Sequence, residues 1–200
     1  MTEHYAIERD LHEAEVMVQG LENYLRHDDL YASPVGGFLA FSDMPTLTVG
    51  ALLMRLKRLN ILQAKLSGDQ SERLQAAVRQ HDSIRDGWRV HYDKKLLREA
   101  NSRLDSIGQY FADVAQNMDQ AAGSYQPEVL KRTIVHDIRD AMNHLHIESA
   151  DLEEKVRQVD NRLGAIALEH CDFLWDSQLE PAYPKKDYWW LYRKPPTRRG

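Results

Sequence analysis

Apolar side chains recur along this chain mostly at steps of three and four, the period of one helix face. The most extended such stretch is residues 70–122, which has no proline and two isolated glycines, Gly87 and Gly108. In its second half Ala100, Leu104, Ile107, Phe111, Val114, Met118 and Ala121 share a face, with Arg98, Arg103, Asp105, Gln109, Asp113 and Gln116 between them. As a single helix the stretch would reach roughly 80 Å at about 1.5 Å per residue, so it needs partners along its side. Its first half carries a different stripe: Leu74, Ala77, Val78, His81, Ile84 and Trp88. Tyr92, Leu96, Ala100 and Leu104 then follow by fours, which rotates the apolar line around the helix. The pattern predicts one long helix, bent or locally irregular between Asp86 and Tyr92, with a change of packing partner at that point.

Three more helices follow from the same reading. Thr2 is placed to cap the first, which extends to about Tyr31 with a heptad-like seam of Ile7, Leu11, Ala14, Val18, Leu21 and Leu25. Val16, Met17 and Tyr24 give it a second apolar flank. Residues 32–45 break the helical pattern with Ser33, Pro34, Gly36, Gly37, Ser42, Asp43 and Pro45, yet contain Phe38, Leu39 and Phe41. This is either a binding loop or a packed connector, and apolar content in an otherwise loop-like composition favours the connector. Thr46 or Thr48 caps a second helix to about Ser67, buried through Val49, Leu52, Leu53, Leu56, Leu59, Leu62 and Leu66. Ser67, Gly68 and Asp69 make a tight turn, so this helix and the long one are expected to run antiparallel. Gly123 and Ser124 are expected to end the long helix. The last helix is expected to begin at Pro127 and run to about Asp176. Its seam is Leu130, Ile134, Ile138, Ala141, Leu145, Leu152, Val156, Val159, Leu163 and Ile166, with a slot missing where Glu148 or Ser149 falls.

The fold prediction is therefore all-α. Residues 1–176 would form one elongated antiparallel helical bundle of four main helices, two of them very long and coiled-coil-like. Residues 177–200 form an irregular aromatic and basic tail, interrupted by Pro181, Pro184, Pro195 and Pro196, docked on the bundle or on a partner.

Composition changes this picture little. Hydrophobic residues make up 42% and charged residues 28%, which suits a globular or coiled-coil protein rather than a disordered one. The net charge of −5 argues against a general polyanion binder. Cys171 is the only cysteine, and the N-terminal residues lack an apolar signal core. The apolar run at residues 47–62 is interrupted by Arg55, Lys57, Arg58 and Asn60, so no membrane span is expected. These features point to the cytoplasm.

Candidate chemistry is sparse. His4, Glu8, His12 and Glu15 form one histidine–carboxylate stripe, and His136, Asp140, His144 and Glu148 form another. Imidazole with carboxylate can hold zinc, iron or manganese. The Glu-x-x-His and His-Glu-x-x-His signatures are both missing, so solvated helix faces with i,i+4 pairs are the simpler reading and no cofactor is assigned. Glu148 also falls near the seam, either as a register device or at a stutter open to solvent. His170 and Cys171 are sequence neighbours and do not face each other on a helix. Trp88, His91 and Tyr92 sit where the stripe drifts and could line a pocket or fill a gap between helices, with filling favoured.

The tail carries the strongest signal. Tyr188, Trp189, Trp190, Tyr192 and Arg193 combine the residue types that anchor protein interfaces. Lys185, Lys186, Arg193, Lys194, Arg198 and Arg199 stand against one acid, Asp187. Basic residues among aromatics also suit nucleic acid, and large indoles suit docking in cis on an acidic bundle. The leading functional reading is a non-enzymatic interaction, scaffold or accessory protein that binds another protein or its own copies. A metal-binding bundle and a nucleic-acid-associated protein are the alternatives.

Overall fold

The alternating seam of the first helix forms α1, Ile7–Arg26, in a computed structural model that describes residues 4–33, 44–116 and 121–196. Leu11, Ala14, Val18, Leu21 and Leu25 are buried, and so are Met17 and Tyr24 on the second flank. Each buried leucine contributes about 1.5–3 kcal/mol before ordering entropy is counted. The helix begins after Ala6, which supplies no side-chain cap, and stops at Arg26, where His27 turns extended. Thr2, and Phe38, Leu39 and Phe41 of the connector, lie outside the described residues. The connector's ends are tied by backbone bonds between Ala32 and Leu47, at 2.7 and 3.3 Å.

Of the two threonines, Thr48 is the cap of α2, Val49–Ile61: its hydroxyl accepts the Ala51 N–H at 3.1 Å. A 3-10 turn, Gln63–Lys65, leads to Ser67, which forms a reciprocal capping box with Gln70. That box starts α3, Gly68–Gly87, and after Trp88 the chain continues as α4, Arg89–Gln116. Trp88 leaves helical geometry at φ −118° and ψ 29°, which places the irregularity inside the expected interval. The backbone bonds around it persist, Trp88 N–H to Ile84 O and Tyr92 N–H to Trp88 O.

The end of the long helix and the course of the last one differ from expectation. Gly123 and Ser124 do not terminate a helix: they lie within α5, Ala121–His144, which also contains Pro127. Proline removes one i→i−4 bond, and here the carbonyl left over belongs to solvent-exposed Gly123, where water can satisfy it. Nor does one helix continue to Asp176. The chain turns at residues 145–149 and resumes as α6, Ala150–Ile166, capped by the Ser149 hydroxyl. The missing seam slot is thus a helix end. Ile147 N–H bonds to Met142 O at 2.9 Å and His146 N–H to Asn143 O at 3.2 Å, with His146 at φ 58°. This is a Schellman closure with histidine in the position glycine usually takes.

Among the described residues the chain is helical apart from two short strands, and it gathers into two compact units whose boundary lies within α4. The unit Ala6–Glu99 has α1 against both α2 and α3. Arg55 pairs with Glu13 at 2.7 Å while Arg58 lies 3.9 Å from Asp10, so α2 runs opposite to α1. Arg73 joins α3 to α1 through Glu8 and Glu15, each at 2.7 Å. Fully buried Glu99 accepts from Thr48 Oγ1 at 2.6 Å and Gly50 N–H at 2.7 Å, placing a carboxylate at the positive end of α2.

The other unit comprises Met1–Tyr5 and Ala100–Gly200. Ala100, Leu104, Ile107, Phe111 and Val114 are buried as the stripe predicts. Arg132 pairs with Asp160 and Arg139 with Glu153, each pair equidistant from His146, so α5 and α6 are antiparallel neighbours. The segment after residue 177, set apart in the sequence reading, belongs to this unit. It contains 3-10 turns Ser177–Ala182 and Trp189–Tyr192, and its Arg193–Lys194 (β2) pairs antiparallel with Glu169–His170 (β1).

Candidate interaction surface

The aromatic segment is committed largely to α5. Trp190, 1% exposed, donates its indole N–H to Thr133 Oγ1 at 3.0 Å and lies 4.1 Å beneath the Arg132 guanidinium. Its carbonyl accepts the Tyr125 hydroxyl at 3.0 Å. Tyr188 donates to Asp137 Oδ1 at 2.8 Å and packs on the His136 ring at 4.5 Å. Burial and the Asp137 charge push its hydroxyl pKa well above the ordinary tyrosine value. Tyr192 donates to the Tyr183 carbonyl at 2.8 Å. Tyr188, Trp190 and Tyr192 have their polar tips satisfied inside the unit. Trp189 and Arg193 keep part of their surface, with the Arg193 guanidinium 5.6 Å from the Trp189 ring.

The basic groups of this segment are partly engaged as well. Lys194 lies 3.8 Å from Glu169 and Lys185 5.8 Å from the Tyr192 ring, while Arg198 and Arg199 are outside the described residues.

Neither histidine–carboxylate stripe converges on a point. Glu8 and Glu15 are paired with Arg73, and His4 precedes α1 and lies 3.4 Å from Asp176. His136 is 3.7 Å from Asp140. α5 ends at His144, so Glu148 is not one turn further along the same face, and it is exposed. No group of three or more histidine, cysteine, aspartate or glutamate side chains positioned for a metal occurs among the described residues.

At the drift in the long stripe, Tyr92 and His81 are joined across the Trp88 irregularity by a 2.9 Å hydrogen bond. His81 also meets Asp82 at 3.0 Å, and burial holds its pKa below 6.5. His91 is exposed and edge-on to Trp88 at 5.3 Å. The buried pair His81 and Tyr92 satisfies itself rather than opening toward a substrate.

Among the described residues, cavities lie beside α4 in the second unit. One, about 350 Å³, lies between α4 and α5, and its buried Glu128 is closed off by Lys131, which also binds Ser106. Burial and Glu128 push the adjoining Tyr110 hydroxyl up to about 12. Another is an apolar groove of about 460 Å³ lined by Gly108, Phe111, Ala112 and Ala115 of α4 and by Arg162, Ala165 and Ile166 of α6. Small side chains on both helices leave the space unfilled. A Cβ added at Gly108 would meet nothing within 4 Å. The sequence placed Phe111 and Ile166 on apolar seams but gave no sign of the groove between them, because Ala112, Ala115 and Ala165 signal neither core nor chemistry.

Comparison with family models, curated proteins and solved structures finds no match to this chain. Among the described residues no helix is long and apolar enough to cross a membrane. The chain is mostly helical, and an apolar groove lies between α4 and α6.

Proposed function

We propose that this chain is a non-enzymatic protein–protein interaction subunit, a scaffold or accessory component built from antiparallel, coiled-coil-like helix pairs and working in the cytoplasm. The observation that carries the reading is the open apolar groove between α4 and α6, where Ala112 and Ala165 are exposed and Arg162 supplies a cation at the edge. An apolar centre with a charged rim is the anatomy of an association surface. The buried ionisable groups support the same reading. Arg55, Glu99 and Arg132 are spent on joining helices. The lone cysteine suits a reducing compartment.

A photo-crosslinking residue placed at Ala112 tests this in the source cells. A discrete protein adduct is expected, and Gly108→Leu, which fills the groove, abolishes it while helical content is retained. An adduct indifferent to Gly108→Leu, or no adduct, contradicts the reading.

A further inference from the structure

We propose that the occupant of the α4–α6 groove is a second copy of this chain, inserted through Leu168 and Glu169 in a two-fold pair. This rests on the interaction reading above. Leu168 is 63% exposed, and it lies two residues beyond Ile166, which lines the groove. An apolar knob and an apolar hole thus sit side by side on one unit. A two-fold interface requires this, because each copy must offer the same patch and each contact occurs twice. The groove volume of about 460 Å³ is roughly three times a cavity of ~150 Å³ that accepts a benzene-sized guest, so a leucine enters easily.

Charge follows the same pattern. Glu169 is exposed beside the knob and Arg162 is exposed beside the hole. In a two-fold pair the Glu169 of each copy meets the Arg162 of the other. Glu169 already approaches Lys194, but at 3.8 Å and with both side chains more than 40% exposed, so that contact exchanges readily with a new one. Arg162 lies 5.8 Å from the Phe111 ring, over the apolar lining, where its guanidinium can hold the incoming carboxylate in line with the leucine.

Sedimentation of the full chain over a range of concentrations, up to about 100 μM, tests the pairing. A reversible monomer–dimer equilibrium is expected. Leu168→Asp, Arg162→Glu and Glu169→Arg are each expected to raise the dissociation constant at least about tenfold. The double variant Arg162→Glu with Glu169→Arg is expected to recover most of the loss, a rescue that misfolding would not give. Circular dichroism of each variant should match the parent, since all three side chains are exposed. A monomer throughout the range, a dimer unaffected by Leu168→Asp, or absence of charge-swap rescue overturns the second copy as occupant. If a Gly108-dependent adduct with a different protein persists at Ala112, the broader interaction reading survives that result; if the adduct is missing too, both fail.

Discussion

Arg132 is 1% exposed, yet it is a permanent cation in the middle of a helix. Asp160 takes two of its N–H groups at 2.6 and 2.9 Å, and the Trp190 ring covers its face. Its Nη1 has no hydrogen-bond partner among the described residues. Breaking such a pair from one side costs more than deleting it, because a charge is left stranded. Asp160→Ala should therefore destabilise by about 3 kcal/mol in urea denaturation, and adding Arg132→Met should recover part of that loss. Equal or larger loss in the double variant would refute this account of the pair. His81 is the second telling residue. Burial lowers its folded pKa below the ordinary 6.5, so between those two values the unfolded chain holds more protons than the folded one. Stability should rise with pH across that window and fall on acidification through about 6.5. Comparing denaturation at about pH 7 and about pH 5.5 should give a smaller pH-dependent loss for His81→Gln than for the parent. Parallel losses would assign the acid sensitivity elsewhere.

Helix ends separate what the sequence revealed from what it concealed. The face of α1 and the stripe from Ala100 to Val114 were legible because periodicity is a local property. The Trp88 irregularity was legible as drift in that stripe. The end of α5 was not, because His146 stands where glycine would have announced a Schellman closure, and the seam resumes at Leu152 almost in phase. The buried flank of α5 was hidden for another reason. Thr133 and Asp137 look like surface residues until Trp190 and Tyr188, 57 and 51 positions away, bond to them. Two substitutions test the turn. Ser149→Ala removes the hydroxyl that accepts Leu152 N–H at 3.3 Å and should cost about 1 kcal/mol. His146→Gly relieves a left-handed residue and should stabilise by up to about 1 kcal/mol. Thermal melts that move in the opposite directions would show that this turn is not what sets the α5–α6 boundary.

On the scale of the whole molecule, the sequence foretold the helical class and an aromatic segment that docks on the bundle or on a partner. Three of its five candidate anchors complete their own unit, and the open apolar space lies instead between α4 and α6. Function by association then depends on whether that space is covered when the protein works. Hydroxyl-radical footprinting reads this directly at Leu168, which is 63% exposed in the isolated chain. In dilute purified protein Leu168 should be oxidised readily, and in the source cells it should be protected, with Gly108→Leu restoring its reactivity. Equal oxidation in both settings would contradict the groove as the place where this chain meets its partner.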